Sequence, residues 1–351
     1  MKYLSFFLAA AMLLPTTAIA DIIIGSWNIK HLGWDNDKHY DHVAHIANHF
    51  DLLAIQELMN EGALETLEAE VEAVSGEGWS SMASHALGQS TYREHYGFLW
   101  RDSAVSYDSG AVVYIDSRDV FAREPFSAKF ISDRTQQKFV LANVHIIYGD
   151  GVGDRLPEIE ALANYWEWLE EVYPETPRLL AGDFNLQPNH HGWEPLRKLG
   201  ALPLIEEGAT TLGMSEGVWS NLYDNVWQSP GQLEISDHGI LLFPELLEVD
   251  HVTARNIVSD HAPVWLALGN AELRLAASKG GGVEAANDPV YCVDLNTAST
   301  EQLVELPNVG PVRAEEIVQM RPWGGVSELT RVNGLGTASI DMIRASGLVC
   351  Q

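Results

Sequence analysis

Apolar runs of strand length recur along this chain, and most of them meet a carboxylate, an amide or a histidine at one end. "DIIIGSWN" ends at Asn28, "LLAIQE" at Glu57, "FVLANVH" at His145, and "RLLAGDFN" at Asp183 and Asn185. Asp224 begins "DNVWQS", and Asp260 with His261 directly precedes "APVWLALG". Strand ends that share one edge of a scaffold are where such folds place their chemistry. Helical patterns separate the runs: Val43, Ile46 and Ala47 in "YDHVAHIANHF", then residues 62–75, then Glu158 to Tyr173. "YGFLWR", "SGAVVYID", "FSAKFIS" and "GILLFP" read as further strands. Helices alternate with strands early and hairpin-like pairs fill the middle. The expected architecture is α/β, two packed mixed sheets covered by helices.

The termini belong to something else. Residues 1–20, "MKYLSFFLAAAMLLPTTAIA", have a lysine, an apolar run too short to span a bilayer, and a small-residue cleavage site. They read as an export signal, so the mature protein is expected to begin at Asp21, secreted or periplasmic. Residues 270–289, around "AASKGGGVEAANDP", read as a linker. Residues 290–351 carry two related helix–turn–helix units with turns at "PNVG" and "NGLG", and Thr297 to Glu301 offers small polar helix starts. The two cysteines, Cys292 and Cys350, stand near the ends of this module. In an exported chain they are expected to form one disulfide closing it.

Charge restricts the partners. The net charge is -28, from 49 acidic and 21 basic residues. That argues against a protein that coats DNA through a basic surface. It leaves room for an enzyme that holds phosphates through a divalent metal and a few local arginines.

The strand-end residues suit that second class. Asn28 and Glu57 offer hard oxygens of the kind Mg²⁺ or Mn²⁺ prefers, and no histidine–cysteine cluster of zinc spacing is present. Asp183 and Asn185 flank Phe184; on an extended backbone both oxygens would face one way while Phe184 packs inward. A plain turn is the competing reading of "DFN". His145 and His261 suit proton transfer, with Glu94 and Asp224 as their respective orienting carboxylates. "ISDHG" repeats the chemistry of "VSDHA", so Asp237 and His238 stand as the weaker alternative to Asp260 and His261. His31, His39, His42, His45 and His49 follow a helix face imperfectly and read as mainly surface.

Taken in order, "WNIKHLG", "LLAIQE", "YREHYGFLWR", "AREPF", "NVHIIYGD", "AGDFN", "YDNVW" and "SDHAPV" resemble the endonuclease/exonuclease/phosphatase superfamily, deoxyribonuclease I type, over residues 21–269. The resemblance implies a four-layer sandwich with its active site along one edge. It implies Asn28, Glu57, Asp183, Asn185 and Asp260 around Mg²⁺ or Mn²⁺ and the scissile phosphate, with Ca²⁺ a further candidate. It also implies His145–Glu94 and His261–Asp224 as acid–base arms, with Asp183 an alternative water-orienting group. Arg123 and Tyr92 would contact DNA. Where the animal enzymes insert a groove-binding arginine, this chain has Met59, and it lacks their disulfides in this region.

The terminal module resembles the tandem helix-hairpin-helix domain of bacterial competence proteins, through "LNTASTEQLVELPNVGPVRAEEIV" and "VNGLG". Such turns present backbone N–H groups to phosphate. Asn308, Gly310, Arg313, Gly334 and Gly336 are the implied DNA contacts, and Arg321 could add charge. Asn308 replaces a familiar glycine and tolerates the left-handed backbone. A purely stabilising appendage is the competing reading, since residues 281–351 hold 9 acidic and 4 basic residues, a net of 4 − 9 = −5.

The expected activity is hydrolysis of DNA phosphodiesters by a monomer without strong sequence preference, endonucleolytic and leaving 5′-phosphates. Base and acid are assignable to either histidine. The rival readings are a secreted phosphodiesterase of sphingomyelinase type, which would need an exposed apolar hairpin, and a noncatalytic DNA-binding protein.

Overall fold

The computed structural model describes residues 21–34, 36–89, 91–273, 293–304, 306, 308–345 and 349. Residues 1–20, expected to be an export signal, most of the expected linker, Pro307 and both cysteines lie outside the described residues.

Twelve strands are present among them: β1 (Ile23–Leu32), β2 (Leu52–Leu58), β3 (Trp79–Ala83), β4 (His95–Arg101), β5 (Val105–Val113), β6 (Phe126–Ser132), β7 (Lys138–His145), β8 (Arg178–Asp183), β9 (Leu202–Pro203), β10 (Asp224–Gln228), β11 (Ile235–Ile240) and β12 (Val264–Leu268). The α-helices are α1 (Tyr40–Ala47), α2 (Glu61–Ser75), α3 (Val152–Val172), α4 (Glu194–Lys198), α5 (Phe243–Leu246), α6 (His251–Ile257), α7 (Thr300–Leu303), α8 (Pro311–Gln319) and α9 (Thr337–Ala345).

The strands form two six-stranded sheets, ordered β11-β12-β1-β2-β4-β3 and β5-β6-β7-β8-β10-β9. Each is mixed: β1–β2 and β7–β8 are parallel, and the remaining pairs are antiparallel. The period-2 alternation of a strand explains the layering. In β2, Leu52 and Ala54 face the other sheet, while Leu53 and Ile55 face α1 and α2 with Val43, Leu64 and Leu67. In β8, Leu179 and Ala181 face inward, and Leu180 packs under α3 with Leu162 and Trp166. Strands buried on both faces read as continuous apolar runs, which is why the sequence shows them so plainly. The result is the expected helix–sheet–sheet–helix sandwich.

A buried amide pair crosses the apolar middle. Gln56 Nε2 donates to Asn143 Oδ1 at 2.6 Å, and Asn143 Nδ2 donates to the carbonyls of Ile55 and Gly97 at 2.9 and 3.1 Å. Both side chains are fully buried. Buried amides need partners, so this set fixes how the two sheets lie over each other.

Four details depart from the sequence reading. "GILLFP" is not a strand: β11 ends at Ile240, and Pro244 helps start the short α5. "ISDHG" is not a connection but most of β11, an edge strand on which Asp237 and His238 are exposed. Helix α3 starts at Val152 rather than Glu158 and continues through Pro157. Its first turn is tied down by Arg155, fully buried, which donates to the carbonyls of Tyr148 and Asn185 at 2.7 and 2.6 Å. In the terminal module the second unit opens with a 3₁₀ helix, Val326–Arg331, after Pro322 and the Gly324–Gly325 pair.

That module otherwise follows its pattern. Ser299 and Gln302 make a reciprocal capping box at α7. Asn308 (φ 62°) and Gly334 (φ 82°) take the left-handed backbone at the two turns. Leu303, Ile317, Leu329, Ile340 and Ile343 form its core, and a parallel bridge joins Val293 to Val349 near its ends.

Candidate active site

Register alone assembles half of the site. In the second sheet, His145 on β7 sits opposite Asp183 on β8, and Asp183 sits opposite Asp224 on β10. In the first sheet, Asn28 on β1 pairs with Gln56 on β2, and Glu57 follows in a left-handed conformation (φ 57°). That turn of the backbone carries Glu57 out of the strand alternation and toward Asn28.

The halves meet over Asp183. Asn28 Nδ2 donates to Glu57 Oε1 at 2.9 Å and to Asp183 Oδ2 at 3.1 Å, so the first-sheet amide spans two carboxylates. His145 Nδ1 meets Glu94 Oε1 at 2.8 Å, and His261 Nδ1 meets Asp224 Oδ2 at 2.7 Å. The far nitrogens of both rings point at the same atom: Asp183 Oδ2 lies 3.6 Å from His145 Nε2 and 3.7 Å from His261 Nε2. Each pair joins the two sheets. His145 belongs to the second and Glu94 borders β4 of the first; Asp224 belongs to the second and His261 precedes β12 of the first.

Asp183 and Asn185 resolve the choice between turn and paired ligands, because both hold. The strand stops at Asp183, whose Oδ1 accepts from the Asn185 N–H at 2.9 Å, and Asn185 is left-handed (φ 50°). Phe184 packs inward on Trp193, as expected, but through an Asx-type turn rather than an extended run. Asn185 Nδ2 donates to the Ile146 carbonyl at 2.9 Å.

Burial opposes charge on both histidines, and Arg123 adds to this at His145. The carboxylates outweigh it, Glu94 for His145 and Asp224 with Asp183 for His261. Both imidazoles therefore hold protons above the ordinary histidine range, His261 well above it. Glu94 resists burial through His145 and Arg123 and stays below the usual carboxylate value. Asp224 is raised by burial and by Asp183, against the pull of His261.

Four predicted residues have partners that sequence could not supply. Arg123 is buried, with Nε 2.6 Å from Glu94 Oε1 and two donations to the His145 carbonyl, so it braces the His145 arm. Asp260 lines the cavity, yet its Oδ2 pairs with Arg255 at 3.1 Å and Lys30 at 3.6 Å instead of joining Glu57. Arg313, expected on DNA, bridges the two hairpin turns by donating to the carbonyls of Asn308 and Asn333 at 2.8 and 3.3 Å. Arg321 likewise donates to the Leu295 and Ala298 carbonyls. Tyr92 does reach the site, its hydroxyl 3.5 Å from Glu94. Asn308, Gly310, Gly334 and Gly336 lie at the two turns as expected.

The sequence reading missed Lys30, Arg255 and Arg155. Lys30 lies within "WNIKHLG" and was legible as a cation two residues past a strand-end ligand. Nearby Lys38 is half-buried and close to Lys30, and desolvation with that neighbouring charge lowers its ammonium to about 8. The alternative histidine, His238, is remote in role: it lies exposed on β11, whereas His261 faces Asp183.

Glu57, His145, Asp183, Asn185, Asp260 and His261 line a cavity of about 600 Å³ that also receives Lys30, Arg255 and Tyr92. The donor set suits a hard cation. Glu57 and Asp183 bring carboxylate oxygens beside an open cleft, joined by the Asn28 amide, whose own oxygen accepts from the Lys30 N–H, and Asp183, Asp224 and His261 offer donor atoms within 4.8 Å of one another. Chemically, the cleft pairs an anionic seat with two carboxylate-anchored imidazoles.

The endonuclease/exonuclease/phosphatase family model matches residues 25–261, and the helix-hairpin-helix motif model matches residues 291–346. A protein named deoxyribonuclease from Thioalkalivibrio sp. (strain K90mix) is 48% identical over 99% of this chain and 97% of its own length. Deoxyribonuclease-1 of Gallus gallus is 28% identical, covering 74% of this chain and 96% of its own. Among solved structures, the catalytic domain of human Nocturnin superposes with a TM-score of 0.53 at 15% identity, over 71% of this chain and 94% of that one. A Bacteroides thetaiotaomicron mannosyl-6-phosphatase gives the same score and identity over 71% and 100%. Those two likenesses speak to the fold. With the model matched along the sandwich and a full-length relative at 48% identity, the chain belongs to the endonuclease/exonuclease/phosphatase family and carries a helix-hairpin-helix motif behind that domain.

Proposed function

We propose that this protein is a divalent-metal-dependent deoxyribonuclease that hydrolyses DNA phosphodiesters as an endonuclease and leaves 5′-phosphates. The observation that carries the reading is the convergence of His145 and His261 on Asp183 Oδ2 at 3.6 and 3.7 Å, each ring held from behind by a carboxylate. The names of the bacterial and avian relatives support DNA as the substrate.

In this reading, Glu57 and Asp183 would hold Mg²⁺ or Mn²⁺, with the Asn28 amide tying the two carboxylates together and Ca²⁺ a further candidate elsewhere. Bound there, the cation supplies charge stabilisation at the phosphoryl oxygens. One imidazole takes the proton of the attacking water through Nε2 while its Nδ1 remains on the carboxylate. The new bond forms between that water oxygen and phosphorus, and the bond to the 3′ oxygen breaks. The second imidazole delivers a proton to the departing 3′ oxygen. Raised proton affinity at both rings suits the acid role directly; the base role needs one ring neutral. Lys30 and Arg255 at the cleft supply local positive charge that an acidic chain otherwise lacks.

Around this core we place the remaining expectations: export by residues 1–20 to the periplasm or medium, action as a monomer, and DNA contact through the hairpin turns. A Cys292–Cys350 disulfide draws support from the Val293–Val349 bridge. Among the described residues no helix is long and apolar enough to cross a membrane.

A lipid-directed phosphodiesterase has one observation in its favour. The turn between Leu212 and Trp219, bridged to each other, leaves Met214 and Val218 71% and 47% exposed at the cleft rim. It leaves the hairpin module without a task. Plasmid DNA, RNA and sphingomyelin assayed side by side with and without Mg²⁺ separate the readings: metal-dependent nicking of plasmid is expected, and cleavage of sphingomyelin alone would overturn the proposal.

A further inference from the structure

Trp34 stands apart from the other ten tryptophans of the chain: among the described residues it is the one left 49% exposed. Its ring lies over His31 with centroids 4.2 Å apart and planes 13° apart, and Tyr92 stands edge-on to both, 5.9 Å from Trp34 and 6.0 Å from His31. The group is anchored in the candidate active site. His31 gives its backbone N–H to Glu57 Oε2 at 3.0 Å, with Nε2 3.2 Å from the same oxygen. His31 and Tyr92 line the cavity that holds Asp183, His145 and His261.

The loop that presents Trp34 is rigidly specified. Gly33 sits at φ 103°, and a Cβ there would lie 2.5 Å from Asn60 Nδ2. That same amide, from the N-cap of α2, donates to the Gly33 carbonyl at 2.9 Å. The Trp34 N–H closes the turn onto the His31 carbonyl at 3.1 Å. A large apolar ring held open to water, backed by a parallel ring and walled by a third, is built to receive a flat partner. Met59, at the start of the next loop, offers no cation to enter a duplex groove.

We propose that Trp34, stacked on His31, is a platform for one nucleobase of the substrate strand, next to the scissile phosphate. Every base has a π-face, so the contact is tolerant of sequence, and it favours DNA whose bases are already unstacked. The platform rests on the nuclease reading and deepens it: single-stranded or locally melted DNA is the preferred substrate form.

The test uses the full chain, Mg²⁺ and phosphorothioate-backbone oligonucleotides that resist cleavage. Binding is followed by tryptophan fluorescence and by anisotropy of an end label. Trp34→Ala is expected to weaken single-strand binding about tenfold and to abolish most of the quenching, while Trp34→Phe retains most of the affinity. The matching duplex should lose less than twofold, and a fully abasic strand of the same length should reproduce the loss in wild type. On cleavable single strands the change should fall on KM rather than kcat. Unchanged single-strand binding in Trp34→Ala would overturn the proposal. Equal loss on single strand and duplex would also overturn it, by making the ring a backbone or sugar contact. Asp183→Asn separates the two layers. If it abolishes cleavage while Trp34→Ala binds normally, the platform falls and the nuclease reading stands; if it cleaves like wild type while Trp34→Ala binds poorly, the reverse holds.

Discussion

Asp224→Asn removes one negative charge and changes little else. Asp224 is 1% exposed and anchors His261 Nδ1 at 2.7 Å, so the substitution keeps size and leaves an amide oxygen able to accept. What is lost is the charge that favours a protonated His261 as the reaction proceeds. A hydrogen bond to a charged group is worth about 1.5–3 kcal/mol. At about 1.4 kcal/mol per factor of ten, kcat should fall roughly 10- to 150-fold, with KM nearly unchanged. Initial rates of plasmid relaxation at saturating DNA and Mg²⁺ measure this, with a thermal melt as the control for folding. The pH profile adds a readout that a packing defect would not produce. Asp224 is the largest influence raising His261, so the limb belonging to that histidine should move toward lower pH. A well-folded Asp224→Asn enzyme within threefold of wild-type kcat would refute the two-arm reasoning.

Adding Mg²⁺ to chelator-treated protein should raise Tm, by about 2.7 kcal/mol of stability at a hundredfold excess over Kd, and restore cleavage; a flat Tm and metal-blind cleavage would contradict the oxygen seat. His145 and His261 both have folded pKa values above the unfolded value of about 6.5, so their stabilisation is full below that pH and is lost as pH rises through the folded values. Metal-free Tm should accordingly fall on titration from about pH 6 upward, and a rising Tm there would be inconsistent with the shifts. Asn143→Leu removes the side-chain donor to the Ile55 and Gly97 carbonyls and leaves the Gln56 amide with Ser26 Oγ alone; it should cost about 2–3 kcal/mol, read by denaturant melts, and a loss under about 1 kcal/mol would deny the contact its role. Ending the chain at residue 273 should raise KM on long DNA more than it lowers turnover of a short oligonucleotide, and an unchanged KM would leave the hairpin module without a binding role.

Much of this fold was legible because strands buried on both faces announce themselves as apolar runs, and because each run here stops where its last side chain leaves the core. Asn28, Glu57, His145, Asp183 and His261 were visible on that ground. What stayed hidden depends on contacts between distant segments. Asp260 looks like a free ligand in "VSDHA", and only the fold brings Lys30 and Arg255 to its carboxylate. Arg123 reads as a phosphate contact until the fold encloses it between Glu94 and the His145 carbonyl. Pro157 argues locally for a helix start, and the buried Arg155 overrides it. "ISDHG" and "VSDHA" differ little as strings; strand pairing sends the first to an exposed edge and leaves the second at the cleft.

The two histidine arms each reach from one sheet to the other. Adjacent residues along a strand are about 3.3 Å apart, more than the slack in either 2.7–2.8 Å contact, so a one-residue slip between sheets would disconnect both arms together. Cutting power therefore does not accumulate gradually as the chain folds. It switches on when the halves clasp, and a nascent or partly opened molecule is a harmless one.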